Sequence, residues 1–164
     1  MLTLGIDPGT AITGYGLVRE GAEGLRLVDC GVITTPAGQP LAERLQTIYR
    51  GLAELIAAHR PDAAAVEELF FSRNVRTALS VGHARGVTLL ALADAGLPIY
   101  EYKPLEVKQA IAGYGGADKR QVQEMVRMLL NLESIPRPDD AADAVAVAVC
   151  HIHSARMRAL IDQA

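Results

Sequence analysis

Six acidic side chains, Asp7, Glu67, Glu68, Asp139, Asp140 and Asp143, stand at positions from which carboxylates do chemistry. Asp7 closes the apolar run Leu2-Thr3-Leu4-Gly5-Ile6 and is followed by Pro8-Gly9, which breaks a strand because proline lacks a ladder donor and glycine permits a sharp turn. A carboxylate at the carboxyl end of a central strand lies at the rim where open α/β sheets carry their sites. Glu67 and Glu68 close a second short apolar run, Ala63–Val66. Side chains alternate along a strand, so only one of these two glutamates can face Asp7. In Asp139-Asp140-Ala141-Ala142-Asp143, spacings of three and four put Asp140 with Asp143, and Asp139 with Asp143, on one helical face.

Each group alone has an ordinary reading: a turn-forming Asp-Pro-Gly, a solvated strand end, or acids favoured at a helix start by ~0.3–1 kcal/mol. Together they point to metal chemistry. Three or four carboxylates at one rim repel one another unless cations neutralise them. Hard oxygen donors suit Mg²⁺ or Mn²⁺, and two such ions ~3.5–4 Å apart can activate water and stabilise a leaving oxygen in phosphodiester hydrolysis. No better catalytic set is present. Gly115-Gly116-Ala117-Asp118-Lys119 lacks the spacing of a nucleotide-binding phosphate loop, and there is neither a GxSxG nor an HExxH motif. His151 and His153, two apart near a helix end, are poor partners for one metal.

The net charge of −3 does not advertise a nucleic-acid binder, but its distribution does more. Residues 73–127 hold 8 basic against 5 acidic groups, all three lysines among them, while both flanks are acidic. An anion-binding surface is therefore compatible with acids at both ends of the chain. Phe70 follows the acid strand closely, and an aromatic ring beside the acids could stack on an unpaired base, worth ~1–3 kcal/mol. Arg73 and Arg76 come next, and Arg85, Lys108, Lys119 and Arg120 are further candidates for phosphate contact, although a solvated surface charge is the commoner fate of any one of them. Lys119 and Arg120 follow a glycine-rich loop at a helix start, where free amides already favour anions.

The elements that must position these groups follow from periodicity. Strands are expected at Leu2–Ile6, Thr13–Arg19 and Leu25–Thr34 with no helix between them, an antiparallel meander. A helix opens at Pro40 and stops before Pro61; a strand at Ala63–Glu67, a helix from Asn74 to about Ala95, and a strand at Leu97–Tyr102 come next. Helices then run from Pro104 to Ala112, from an Asp118 cap to about Leu130, and from about Asp139 to Arg158. Strand four follows a helix, so it should cross over to lie parallel to strand one. The expected fold is an α/β, five-stranded mixed sheet, three antiparallel strands then parallel ones, flanked by helices on both faces. One domain over residues 1–164 accommodates this. No apolar run reaches the ~18 residues of a membrane span, and the two cysteines have no CxxC spacing, so a cytoplasmic location is expected.

Five stretches, GIDPGTAITGYG (5–16), AVEELFFSRN (65–74), ALSVGHARG (78–86), EYKPLEVKQAIAGYGGADKRQVQEMV (101–126) and DDAADAVAVAVCH (139–151), taken in order, resemble the RuvC family of bacterial Holliday-junction resolvases. The resemblance implies a ribonuclease H-like fold, a homodimer, and paired symmetric nicks in a four-way DNA junction, acting in recombination and repair. It implies Asp7, Glu67, Asp140 and Asp143 as catalytic acids and metal ligands, choosing Glu67 over Glu68 and Asp140 over Asp139. Phe70 matches an aromatic that stacks at the junction point, and Lys108 and Lys119 match basic residues near the active site. RuvA and RuvB, the branch-migration proteins, are the partners it implies. Two other readings remain at this stage: a sugar-kinase or actin-like ATPase lobe, whose first strand carries a similar phosphate turn, and a junction-binding module without catalysis.

Overall fold

The computed structural model describes residues 1–68 and 75–161. Five strands, β1 (Leu2–Asp7), β2 (Ile12–Gly21), β3 (Gly24–Thr34), β4 (Ala63–Glu67) and β5 (Ile99–Tyr102), form one sheet in the order β3-β2-β1-β4-β5. The β1–β2 and β2–β3 pairs are antiparallel, and β1–β4 and β4–β5 are parallel. The helices are α1 (Leu41–His59), α2 (Val75–Asp94), α3 (Pro104–Ala112), α4 (Lys119–Leu129) and α5 (Asp139–Ile161). The expected mixed five-stranded sheet is thus the observed one. β5 starts two residues later than expected, because Leu97 N–H closes the end of α2 by donating to the Leu92 carbonyl and Pro98 has no N–H to give a ladder.

Strand alternation sorts the core into two layers. Leu2, Leu4 and Ile6 of β1, with Val66 of β4, turn to one face and pack with Ile48, Leu52 and Ile56 of α1 and Leu92 of α2. Gly5 and Ala65 turn to the other face, which α5 covers, and α3 and α4 cover α5 in turn. Every residue from Ala144 to Ile152 is buried, so α5 is apolar all round, as a helix enclosed between a sheet and other helices must be.

Glycine lets α5 sit directly on the sheet. A Cβ on Gly5 would come within 2.6 Å of the Ala148 backbone nitrogen, one on Gly16 within 2.8 Å of Val145 Cα, and one on Gly14 within 2.5 Å of the Asp140 carbonyl carbon. The alanines of α5 complete this close approach, and the contact at Gly14 fixes the height of the helix at its acidic first turn. Among the described residues no helix is long and apolar enough to cross a membrane.

Candidate active site

The β1–β4 register brings the first two acids together. Ile6 is paired with Val66 in parallel, so Asp7 and Glu67 are the next residues on adjacent strands. Both sit in phase with Gly5 and Ala65, on the face that α5 covers, and their carboxyl groups share a hydrogen bond. Glu68 is out of phase, and its backbone N–H donates to the Tyr102 carbonyl at 2.8 Å. Alternation thus resolves the Glu67–Glu68 ambiguity by geometry. Asp7 also faces Gly14 across the antiparallel β1–β2 pair, and Gly14 lies under Asp140. The first turn of α5 is in this way lowered onto the ends of β1 and β2.

Electrostatics report how close the groups are. Burial pushes the Asp7 carboxyl up to about 8, and the negative charges of Glu67, Asp143 and Asp140 add to the rise. Burial also raises Glu67, as does Asp143, while the Asp7 hydrogen bond and Lys119 pull it back. Asp143 is raised by burial against the opposing pull of Lys119. The Lys119 ammonium lies 2.9 Å from Asp143 Oδ2 and 3.5 Å from Asp139 Oδ2, and the first contact holds its proton more tightly than usual. Lys119 comes from the start of α4, which Asp118 caps by accepting from the Gln121 N–H at 2.9 Å.

The donor set is all oxygen, buried and over-charged, which fits a hard divalent cation. Asp7, Glu67, Asp140 and Asp143 are the groups that would hold it. Among the described residues, however, no three such side chains already surround a single point. Their mutual repulsion is eased by the hydrogen bond between the Asp7 and Glu67 carboxyl groups and by Lys119 on Asp143.

Two clefts flank the acids. One, of about 200 Å³, is lined by Glu67, Lys108, Lys119 and Asp143. The other, of about 480 Å³, lies between the β1–β2 turn and α2, with Asp140 in its wall. There Thr10 Oγ1 donates to the Ser80 carbonyl at 2.5 Å and accepts from Ser80 Oγ at 2.9 Å, while Thr35 Oγ1 donates to the Thr10 carbonyl at 2.5 Å. These hydroxyls tie the turn after Asp7 to α2 and β3. Single-sequence reading missed them, since serine and threonine give no signal of long-range pairing.

The remaining candidates separate. Lys108 joins the site cleft, and Arg120 is exposed at the start of α4. Arg85 is engaged elsewhere, in an ion pair with Glu101 of β5. Arg76 lies in the first turn of α2. Phe70 and Arg73 lie outside the described residues.

The family model described as "Crossover junction endodeoxyribonuclease RuvC" matches residues 3–151. The chain belongs to the RuvC family. The Chloroflexus aurantiacus crossover junction endodeoxyribonuclease RuvC is 65% identical over 155 residues, 94% of each chain. The Roseiflexus sp. RuvC is 65% identical over 161 residues, 98% of this chain and 96% of the other. A T. thermophilus RuvC solved in complex with a Holliday junction substrate is 44% identical, covers 96% of both chains and superposes with a TM-score of 0.91. The fold is therefore ribonuclease H-like, and the ATPase-lobe reading is set aside.

Proposed function

We propose that this RuvC-family chain is a Holliday junction resolvase in which Asp7, Glu67, Asp140 and Asp143 are the catalytic acids and the ligands of divalent metal ions. Its activity is that of a crossover junction endodeoxyribonuclease, making paired nicks in four-way DNA during recombination and repair. The observation that carries the site assignment is the convergence of Asp7 and Glu67, at the ends of adjacent strands, with the first turn of α5 that rests on Gly14. They lie close enough for Glu67, Asp143 and Asp140 to add to the rise that burial gives the Asp7 carboxyl. A binding module has no use for clustered negative charge beside DNA, whereas a metal site requires it.

Magnesium or manganese, two ions per site, would supply an activated water and charge stabilisation at the leaving oxygen. The chain's own residues do the rest. Asp7 and Glu67 give up their shared proton to become ligands, and Gly14 beneath Asp140 keeps the α5 acids at the height of the strand ends. Lys108 and Lys119 line the adjoining cleft with positive charge, where a phosphodiester can lie against them. Phe70, with Arg73, Arg76, Arg85 and Arg120, completes the proposed DNA contacts; Arg85 would first have to leave Glu101.

The same reading takes residues 1–164 as one nuclease domain that acts in the cytoplasm with RuvA and RuvB. It also takes the protein as a homodimer, because two identical sites on a two-fold axis match a junction of approximate two-fold symmetry. Leu79 and Leu90 of α2, 61% and 54% exposed, offer the apolar face for it.

The decisive assay is a synthetic four-way junction with Mg²⁺ or Mn²⁺. Wild-type protein gives symmetric nicks. Asp7→Asn lowers the single-turnover rate by more than about 100-fold, the scale that losing even an outer partner of a metal ligand can reach, while junction binding is retained. Equal cutting of duplex or single-stranded DNA would overturn the junction assignment, and an undiminished rate in Asp7→Asn would overturn the site.

A further inference from the structure

Lys119 has two carboxylate partners, and they are held in different ways. Asp143 faces the buried acids, whereas Asp139, one helical turn earlier on the same face of α5, is half-exposed and secured by groups outside the site. Arg137 donates to Asp139 Oδ1 at 2.7 Å, and Gln123 Nε2 approaches the same oxygen at 3.4 Å. The second oxygen, Oδ2, is the one turned to Lys119 at 3.5 Å. Asp139 is thus a fixed anion on the edge of the cleft, and Lys119 bridges from it to Asp143 at 2.9 Å.

This arrangement sets up a competition. A divalent cation that takes Asp143 through Oδ2 displaces an ammonium already at hydrogen-bond distance. An ammonium on a flexible four-carbon stem can turn from one carboxylate to the other while its helix stays in place. We propose that Asp139 is a positioning residue: it receives Lys119 when a divalent cation occupies Asp143, and so keeps the ammonium over the cleft instead of letting it leave. The ammonium gives up Asp143 and closes on Asp139, the partner it already has at 3.5 Å, with no proton gained or lost. The idea rests on Asp143 being a metal ligand. It adds that the neighbouring aspartate, which the family resemblance passed over, governs how readily the ion enters.

Calorimetric titration of Mn²⁺ into the DNA-free full-length protein tests it in four forms: wild type, Lys119→Met, Asp139→Asn and the double variant. Lys119→Met binds the ion about tenfold more tightly than wild type, because its competitor is gone, and Asp139→Asn binds about tenfold more weakly, because Lys119 then has only Asp143 to pair with. In the Lys119→Met background, Asp139→Asn changes affinity by less than about twofold. Asp139→Glu, which keeps the charge, restores wild-type affinity and serves as the folded check if the asparagine variant is unstable. An equal loss from Asp139→Asn in both backgrounds means that only a nearby charge was removed, and overturns the proposal while leaving the site assignment intact. Failure of Mn²⁺ to bind any of the four proteins overturns both.

Discussion

Helices α5 and α2 are of similar length, 23 and 20 residues, yet they meet the rest of the molecule in opposite ways. α5 is sealed on all sides along its middle, and its backbone rests on Gly5, Gly14 and Gly16 with no side chain between. α2 buries Ala84, Thr88, Ala91 and Leu92 and turns Leu79, His83, Gly86 and Leu90 outward on one stripe. Beneath the acidic first turn of α5 the protein sets backbone against backbone, which cannot relax through a rotamer change. Where it offers a surface, it leaves leucines in the open, packs only the opposite side of the helix, through Ala84, Ala91 and Leu92, and adds polar ties from Thr10 to Ser80 and from Arg85 to Glu101.

The sharpest way to break this contrast is one methyl group placed on each helix's side. Gly14→Ala puts a Cβ into the Asp140 carbonyl and forces the first turn of α5 upward. We expect a stability loss of about 3 kcal/mol in urea denaturation, the upper part of the range for overpacking, and a greater loss of junction cleavage than of junction binding. Gly86→Ala in α2 meets nothing within 4 Å and should instead stabilise by about 0.5–1 kcal/mol, the usual gain of alanine over glycine inside a helix. Similar outcomes for the two variants would remove the distinction.

Two titrating groups in the α5 layer sharpen it further, with opposite signs. Asp7 holds a proton in the folded protein up to about pH 8 that the unfolded chain releases near 3.8. Metal-free stability therefore falls as pH rises between those values, and Asp7→Asn flattens that slope in thermal melts with chelator present. Divalent cations should bind more tightly as pH rises through the same window, up to about tenfold per unit, because binding expels that proton. His151, buried against Tyr100 and Tyr102 with its Nδ1 2.9 Å from the Tyr102 hydroxyl, is pushed down to about 4 by burial and by Arg158. It stays neutral while the unfolded chain takes up a proton, so its contribution is lost as pH falls from about 6.5 toward 4. His151→Gln should reduce the acid-side slope and leave the Asp7 slope unchanged.

The smallest effect is expected on α2. Leu79→Ala and Leu90→Ala should change the stability of the dissociated chain by less than about 0.5 kcal/mol, as exposed positions do. They should nonetheless weaken self-association in sedimentation, if these leucines are the homodimer face. Unchanged association in the double variant would move that face elsewhere.

Much of this was readable from residue order. Strand alternation and proline and glycine punctuation were enough for the sheet and its five helices, because those signals are local. The acids were visible as types, but spacing alone left Glu67 level with Glu68 and Asp139 level with Asp140. The first choice needs the β1–β4 register. The second rests on the family resemblance, and it left the part played by Asp139 unread. What stayed hidden was pairwise and distant: Gly14 under Asp140, Thr10 on Ser80, Arg85 drawn to Glu101, Lys119 shared by two aspartates. A glycine that exists to admit a neighbour, or a charge that exists to meet one, carries no mark of it in the flanking residues.

The four carboxylates are contributed by two strand ends and by a helix that begins only at Asp139. A partly synthesised or clipped polypeptide lacking that helix would keep Asp7 and Glu67 but neither of the other two, with the sheet face above Gly5 and Gly14 uncovered. On the proposed assignment of these four acids, cutting power is withheld until α5 has docked on the sheet, which would keep a half-made copy from nicking DNA.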